Sequence, residues 1–444
     1  MHHMSRITPG CLAVLLASLL GPAASGQERA ANGSDWYRFL GPELNAKSSE
    51  IGIRTDWADG KLPIVWQREV GDGYSMPSVA DGRLFVFDRQ GDRARLTCLD
   101  SQTGKELWSS EYPTAYVDHY EYSGGPRASP VVDGDRVYVF GVDGRLLAHR
   151  VTDGEVLWEV DTAKEFGVVQ NFFGAGSTPI IEDNLLIAMI GGSPADPPSL
   201  WSGDLVGNGS GIVAFDKLTG EVVYRSSDEL ASYSSPVIAT IGERRWGFLF
   251  TRGGLTGFEP STGEIDFHFP WRSKKIESVN AASPVVVGDK VLITESYGPG
   301  SALLRVRPGG YEVVRTDPPR RGQSMASHWS TPIYHKGFLY GCSGEKSGNA
   351  DLRCIDFETG EVKWSEKLGS RLSLLYVDGH FVVQTERGGL ALVRATPEKS
   401  ELVTKTSYEE ILGHPTWGAP ILSHGILYLR GAKGLLALEL IPKN

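Results

Sequence analysis

An internal repeat constrains this chain more than any other feature. A small residue followed by proline opens an apolar stretch seven times, at Pro77, Pro130, Pro179, Pro236, Pro284, Pro332 and Pro420. A second signature is an acidic residue, a Thr-Gly or Asp-Gly turn and then an aromatic. It recurs as DSQTGKELW from Asp100, VTDGEVLW from Val151, DKLTGEVVY from Asp216, EPSTGEIDF from Glu259 and DFETGEVKW from Asp356. The prolines are nearly evenly spaced except before Pro420, where about two periods pass. LSLLYVDGHFVVQ, from Leu372, opens a degenerate unit inside that gap. The chain therefore carries eight units of about 49 residues each, a period typical of propeller blades.

Each unit reads as four strands. From Ser129 to Glu159 the order is SPVV, a DGD turn, RVYVFG, a DG turn, RLLAHRV, a DG turn and EVLWEV. The strands are short, β-branched and aromatic, with Gly and Asp at the turns. No helical period is present. The expected fold is all-β, an eight-bladed β-propeller of four-stranded antiparallel blades. A blade cannot bury both faces alone, so its neighbours must stack on it and the repeats form one domain. The eighth unit ends at Leu440 without an outer aromatic strand, whereas LPIVWQREV (62–70) has no unit of its own. This N-terminal strand is expected to complete the last blade and remove an open sheet edge.

Two columns run through the units. An outer-strand aromatic recurs as Trp66, Trp108, Trp158, Tyr224, Phe267 and Trp364, and is expected to wedge, mostly buried, between blades. A small residue recurs in the third strand as Cys98, Ala148, Ala214, Gly257, Cys354, Ala391 and Ala437, suggesting close approach of stacked sheets. On this reading Cys98 and Cys354 are packing residues. The alternative is a disulfide between Cys342 and Cys354 across a hairpin.

The pattern A-x-D-x-x-T-G-x-x-x-W with SPVV openings resembles the pyrroloquinoline-quinone (PQQ)-type, or tryptophan-docking, repeat of quinoprotein dehydrogenases and of the outer-membrane assembly lipoprotein BamB. The stretch DWYRFLGPELNAKSSEIGI (35–53) resembles the opening of exported bacterial propellers of this kind. The resemblance spans roughly residues 35–440, and the units at Ser283 and Leu372 depart from it. It implies the fold but not an activity, because catalytic and non-catalytic members share the repeat. Dehydrogenase members carry an adjacent Cys-Cys pair and calcium ligands. No two cysteines are adjacent here, and no position matches those ligands. A lipid-attachment cysteine of the BamB kind is not recognised either, so no lipid anchor is expected.

Residues 1–26 read as a secretory signal peptide, with Arg6, the apolar run Cys11 to Leu20, and Ala24-Ser25-Gly26 before a cut near Gly26. The alternative is an uncleaved anchor. Residues 27–61 then lead into a single propeller over 62–444. The expected product is periplasmic or secreted and monomeric, without a transmembrane segment. Lys and Arg number 44 against 54 Asp and Glu, a net charge of −10, which argues against nucleic acid as a partner. HExxH, CxxC, GxGxxG, P-loop and GxSxG motifs are absent.

Strand order places the longest loops on one face of the disc and the Thr-Gly turns on the other. Three residues before each proline stand Tyr74, Arg127, Gly176, Tyr233, Ala281, Trp329 and Trp417, which should ring the mouth of the central channel. They are either rim packing or a platform for a ligand or peptide. His119, Tyr120, Phe172, Asn280, His328 and His414 lie in the same loops and complete the ligand-face candidates. A metal site from the three histidines is an open possibility. The reading favoured is a non-catalytic scaffold that binds a protein or an extracellular polymer on this face, with no cofactor. The alternatives are a PQQ-dependent alcohol or sugar dehydrogenase, with quinone and calcium, and a polysaccharide-binding propeller. Under the dehydrogenase reading, a quinone would stack on Trp329 or Trp417 near Arg127, Lys274, Lys275, Arg320 and Arg321.

Overall fold

The short β-branched segments pair locally into eight four-stranded antiparallel sheets. The computed structural model describes residues 33–57, 60–168, 172–194, 205–319 and 321–443. The proposed signal peptide, Arg320 and the middle of the loop between Gly191 and Gly211 lie outside the described residues. Blades 1 to 7 span 78–113, 131–161, 180–226, 237–270, 285–316, 333–366 and 372–407. Blade 8 takes three strands from 421–439, and Ile64–Glu69 supplies its outer strand. That strand pairs antiparallel with Gly434–Glu439, setting Trp66 opposite Ala437 and Glu69 opposite Gly434.

The acidic-Thr-Gly-aromatic signature is explained by one contact made repeatedly. Asp100 accepts the Thr103 amide at 2.8 Å and its hydroxyl at 2.7 Å, fixing the turn. Asp356 does the same with Thr359. The outer aromatic of the preceding blade then lies flat on the turn glycine. Trp66 donates its indole N–H to Ser101 O at 3.0 Å, Trp108 to Val151 O at 2.9 Å and Trp158 to Lys217 O at 3.1 Å. A Cβ at Gly104 would lie 2.7 Å from the Trp66 ring, and one at Gly154 would lie 2.4 Å from Trp108. Only glycine accommodates both that contact and the positive φ. Trp66 and Trp158 are buried, whereas Trp108 and Trp364 are only half-buried.

The small column is a matter of volume shared across a strand pair. Cys98 sits directly opposite Trp108, Ala148 opposite Trp158, and Cys354 opposite Trp364. Where the large ring is missing, the facing residue grows. In blade 5 Leu303 faces Arg315, and in blade 7 Leu392 faces Thr404. Register thus assigns the blade 7 position to Leu392 rather than Ala391. Arg315 takes the docking role itself, donating from Nε to Phe357 O at 3.3 Å and lying against Gly360. Cys98, Cys342 and Cys354 are buried free thiols, each pushed by burial to a pKa of about 12. The disulfide alternative fails on register, since Cys342 faces Leu352 and Cys354 faces Tyr340.

The segment before the propeller runs across the Thr-Gly end of the inner strands. Trp36 bridges Val79 of blade 1, Tyr37 O accepts from the Val132 amide of blade 2, and Ser48 donates to Tyr376 O of blade 7. Between these ties, Phe39 and the buried Leu40 close the channel from below.

Candidate functional site

The site is built around the small residue before each proline. At the five positions where it is Ser or Thr, its side-chain oxygen accepts the amide of the corresponding residue one blade earlier. Met76 N donates to Ser129 Oγ, Ser129 N to Thr178 Oγ1, and Thr178 N to Ser235 Oγ, each at 3.0 Å. Ser235 N donates to Ser283 Oγ at 3.0 Å and Ser283 N to Thr331 Oγ1 at 2.9 Å. At the seam Ala419 N meets Met76 Sδ at 3.0 Å. Proline lacks an N–H, so the amide before it is the one that must find a partner across the blade boundary. The result is a belt of hydroxyls around the axis.

Above the belt, toward the long loops, is a cavity of about 250 Å³. Its wall is the column three residues before each proline. Trp417 packs on Trp329 at 5.4 Å and on Tyr74 at 4.5 Å between ring centroids. Trp329 donates its indole N–H to Trp417 O at 3.0 Å. Blade 7 has no proline, but Leu374 holds its place, so the eighth member of the column is Arg371. Its guanidinium lies 4.5 Å from the Trp329 ring centroid and 5.5 Å from that of Trp417.

Both arginines in the wall are paired from behind. Arg127 meets Asp118 at 2.7 Å, and the Asp118 side chain is fully buried. Arg371 holds Glu386, whose side chain is 4% exposed. Burial raises the Glu386 carboxyl, but donors from Arg371, Ser347 and Trp417 outweigh it and hold the pKa at about 2. His328 accepts or donates at Nε2 to Tyr297 OH at 2.8 Å. Burial, helped by Arg371, pushes its pKa down to about 3, so the imidazole is neutral. Just behind Tyr297, the buried Glu295 has one oxygen on the Tyr297 amide and the other without a partner. Desolvation raises its pKa to about 7.

The family model described as "Outer membrane protein assembly factor BamB" matches residues 53–207 and 200–366. The chain belongs to that family. A BamB from Moranella endobia (strain PCIT) is 22% identical over 382 residues, covering 82% of this chain and 75% of that protein. Among solved structures, BamB from Moraxella catarrhalis superposes with a TM-score of 0.59 at 12% identity, covering 86% of this chain and 99% of that one. The quinohemoprotein alcohol dehydrogenase of Comamonas testosteroni gives 0.63 at 12% identity, covering 92% and 82%. At these identities the structural likenesses establish the PQQ-type propeller fold and nothing finer.

Within this BamB-type propeller, Tyr74, Arg127, Tyr233, His328, Trp329 and Trp417 do converge on one cavity, with Gly176 and Ala281 beside them. Five other candidates lie elsewhere. His119 is exposed on the loop between blades 1 and 2, and Tyr120 sits near it against Phe172 and Phe173. Phe172 is fully buried over the Arg252 guanidinium. Asn280 is a buried clamp, its side-chain amide on Thr251 O and Trp271 O. His414 is tied by Nδ1 to Glu386 O at 3.0 Å. His119, His328 and His414 are not gathered: among the described residues no group of three His, Cys, Asp or Glu side chains is arranged to hold a metal. Sequence reasoning missed Arg371 because its unit lacks the proline that marks the column. It also missed Glu386, Tyr297, Tyr122 and Phe173. The length of Leu374 to Pro420 against the repeat period is the signal that would have found Arg371.

The described residues of the cavity do not fit the quinone and calcium that the dehydrogenase reading would require. Among the described residues no side-chain carboxylate or carboxamide lines the cavity, so these residues offer a hard cation no oxygen cage. The two guanidinium groups that a quinone carboxylate would want are already held by Asp118 and Glu386. Lys275, a further candidate cation, pairs with Glu345 at 3.2 Å.

Proposed function

We propose that this protein is an exported assembly scaffold that holds a polypeptide partner on its loop-rich face. The observation that carries the reading is the preformed cavity at the channel mouth, walled by locked aromatic rings. Rigid aromatics at the mouth of a concave site are the usual anchors of protein recognition. The name shared by the family and its Moranella relative, an outer membrane protein assembly factor, supports the same reading. It also supports a periplasmic, outer-membrane-associated location, reached after removal of residues 1–26, with 62–444 as one monomeric propeller. No helix among the described residues is long and apolar enough to cross a membrane.

The test is photocrosslinking in a bacterial envelope. A benzophenone amino acid placed at His119, on the loop-rich face, should give a discrete polypeptide adduct. The same group at Thr103, on a Thr-Gly turn, should give none. Equal adducts from both faces, or none from either, would contradict the reading.

A further inference from the structure

We infer that the cavity at the channel mouth selects an uncharged aromatic side chain of an extended polypeptide, and excludes planar anions. The inference rests on the scaffold reading and adds the chemistry of what enters. Volume sets the first limit. A cavity of about 150 Å³ lined by apolar groups takes up benzene, and this one, at about 250 Å³, has room for one ring-bearing side chain but not for a folded element. Wall geometry sets the second. Trp329, Trp417 and Tyr74 interlock at centroid separations of 5.4 and 4.5 Å. Tyr122 closes edge-on against Trp417 at 5.5 Å. Flat walls of this kind favour offset and edge-to-face contact with a further ring over an aliphatic chain.

Charge decides between ring classes. Two guanidinium planes face the cavity, which at first sight invites a carboxylate. Each is already ion-paired and spends three of its five N–H groups within the protein: Arg127 on Asp118, Ser123 O and Gly125 O, and Arg371 on Glu386 through two nitrogens and on Glu345 O through the third. Each cation therefore carries its own buried counter-charge, and an incoming anion would meet Asp118 and Glu386 behind them. What the arginines present is a flat, internally neutralised face. His328 adds no charge at neutral pH because burial and Arg371 keep it unprotonated. A sugar ring is disfavoured for a related reason. The floor offers the hydroxyl belt, but those oxygens already accept amides from the neighbouring blade, and the wall is mainly aromatic rings.

The experiment titrates the mature protein with N-acetyl-tyrosinamide and N-acetyl-phenylalaninamide, read by saturation-transfer NMR and calorimetry. N-acetyl-leucinamide, pyrroloquinoline quinone and a cello-oligosaccharide serve as the other arms. Saturable binding is expected for the two aromatic amides, at least ten-fold weaker binding for the other three, and little change between 50 and 500 mM salt. Ala281→Trp fills the cavity from a blade whose column residue is small, and should abolish amide binding. Tyr122→Ala, at a residue 48% exposed, removes one wall without threatening the fold and should weaken the amides several-fold. Quinone or oligosaccharide binding as tight as the amides would overturn the inference, as would amide binding that survives both substitutions. A normal adduct from His119 in the Ala281→Trp protein would also overturn it while leaving the scaffold reading in place. Absence of any adduct in the unsubstituted protein, with amide binding intact, would do the reverse.

Discussion

The two faces of the disc follow different rules. On the Thr-Gly face one contact recurs from blade to blade: an aromatic, a glycine and a backbone carbonyl, as in Trp66 on the turn before Gly104 and Trp158 on the turn before Gly220. On the loop-rich face the described residues share no such repeated contact. Trp329, Arg371, Trp417, Tyr74 and Arg127 stand in successive slots of one column, each with its own partners. Regularity serves stacking, where every blade must meet the same neighbour. Irregularity gives a surface that differs around the ring and can recognise something. A repeat protein can thus hold its ring together on one face while varying the other.

That contrast can be broken at its strongest point first. Removing residues 63–70 takes away the outer strand of blade 8 and the Trp66 docking contact together. An open edge and loss of ring closure should follow, seen as aggregation or a melting temperature lowered by about 5 °C or more, since about 1 kcal/mol moves it by only about 1–1.5 °C at this size. An unchanged melting temperature would show that closure lies elsewhere. Arg430 shares the same seam, buried and donating to Ser75 O at 2.6 Å and Phe87 O at 2.8 Å.

Next in size is a single docking ring. Trp158→Ala should cost about 3–5 kcal/mol, the range for buried aromatics. Denaturant melts that place the loss below about 0.5 kcal/mol would mean the ring is decoration.

The loop-rich face carries its own strain at Glu295. Its folded pKa, about 7, lies above the ordinary 4.5 because burial opposes ionisation. Below pH 4.5 the group is protonated in both folded and unfolded chains and costs nothing. Between pH 4.5 and 7 the unfolded chain ionises this carboxyl while the folded protein keeps it protonated, so stability falls across that window and the full penalty is reached above 7. Glu295→Gln should be neutral at pH 4 and stabilising by roughly 2–3 kcal/mol at pH 8. Equal stabilities at both pH values would place the titration elsewhere.

The smallest effect tests volume sharing. Arg315→Trp alone should be destabilising by about 1–3 kcal/mol, because Leu303 already fills the space opposite. Adding Leu303→Ala should recover about 1 kcal/mol or more beyond additivity. Strictly additive losses would separate the two columns.

Most of the Thr-Gly face was legible in the sequence because its determinants are periodic. Thr103-Gly104 and Trp108 each have counterparts at fixed spacing. The closing strand was legible by subtraction, as Trp66 had no unit of its own. The cavity was legible only where the proline marked the column. Tyr74, Arg127, Tyr233, Trp329 and Trp417 were found that way, and Arg371 was lost because Leu374 replaces the proline. Asn280 and Phe172 were misjudged for another reason. Loop residues that clamp a turn and loop residues that face a ligand have the same composition, and only burial separates them. The saturation of Arg127 by Asp118 and of Arg371 by Glu386 joins positions whose pairing no spacing rule reveals.

The division of labour between the faces is tested most directly by two tryptophans measured side by side, in Trp158→Ala and Trp417→Ala. Each protein is read for its melting temperature, for aromatic-amide binding and for the adduct formed from His119. The expected result is a crossed pattern. Trp158→Ala melts several degrees lower with amide binding unchanged at a temperature where it is folded. Trp417→Ala, which loses one donor to Glu386, melts about 1–3 °C lower, roughly 1–2 kcal/mol and less than Trp158→Ala, and loses both amide binding and the adduct. If both substitutions lower stability and binding in proportion, the faces are not separate in function and the scaffold reading of the loop-rich face is wrong.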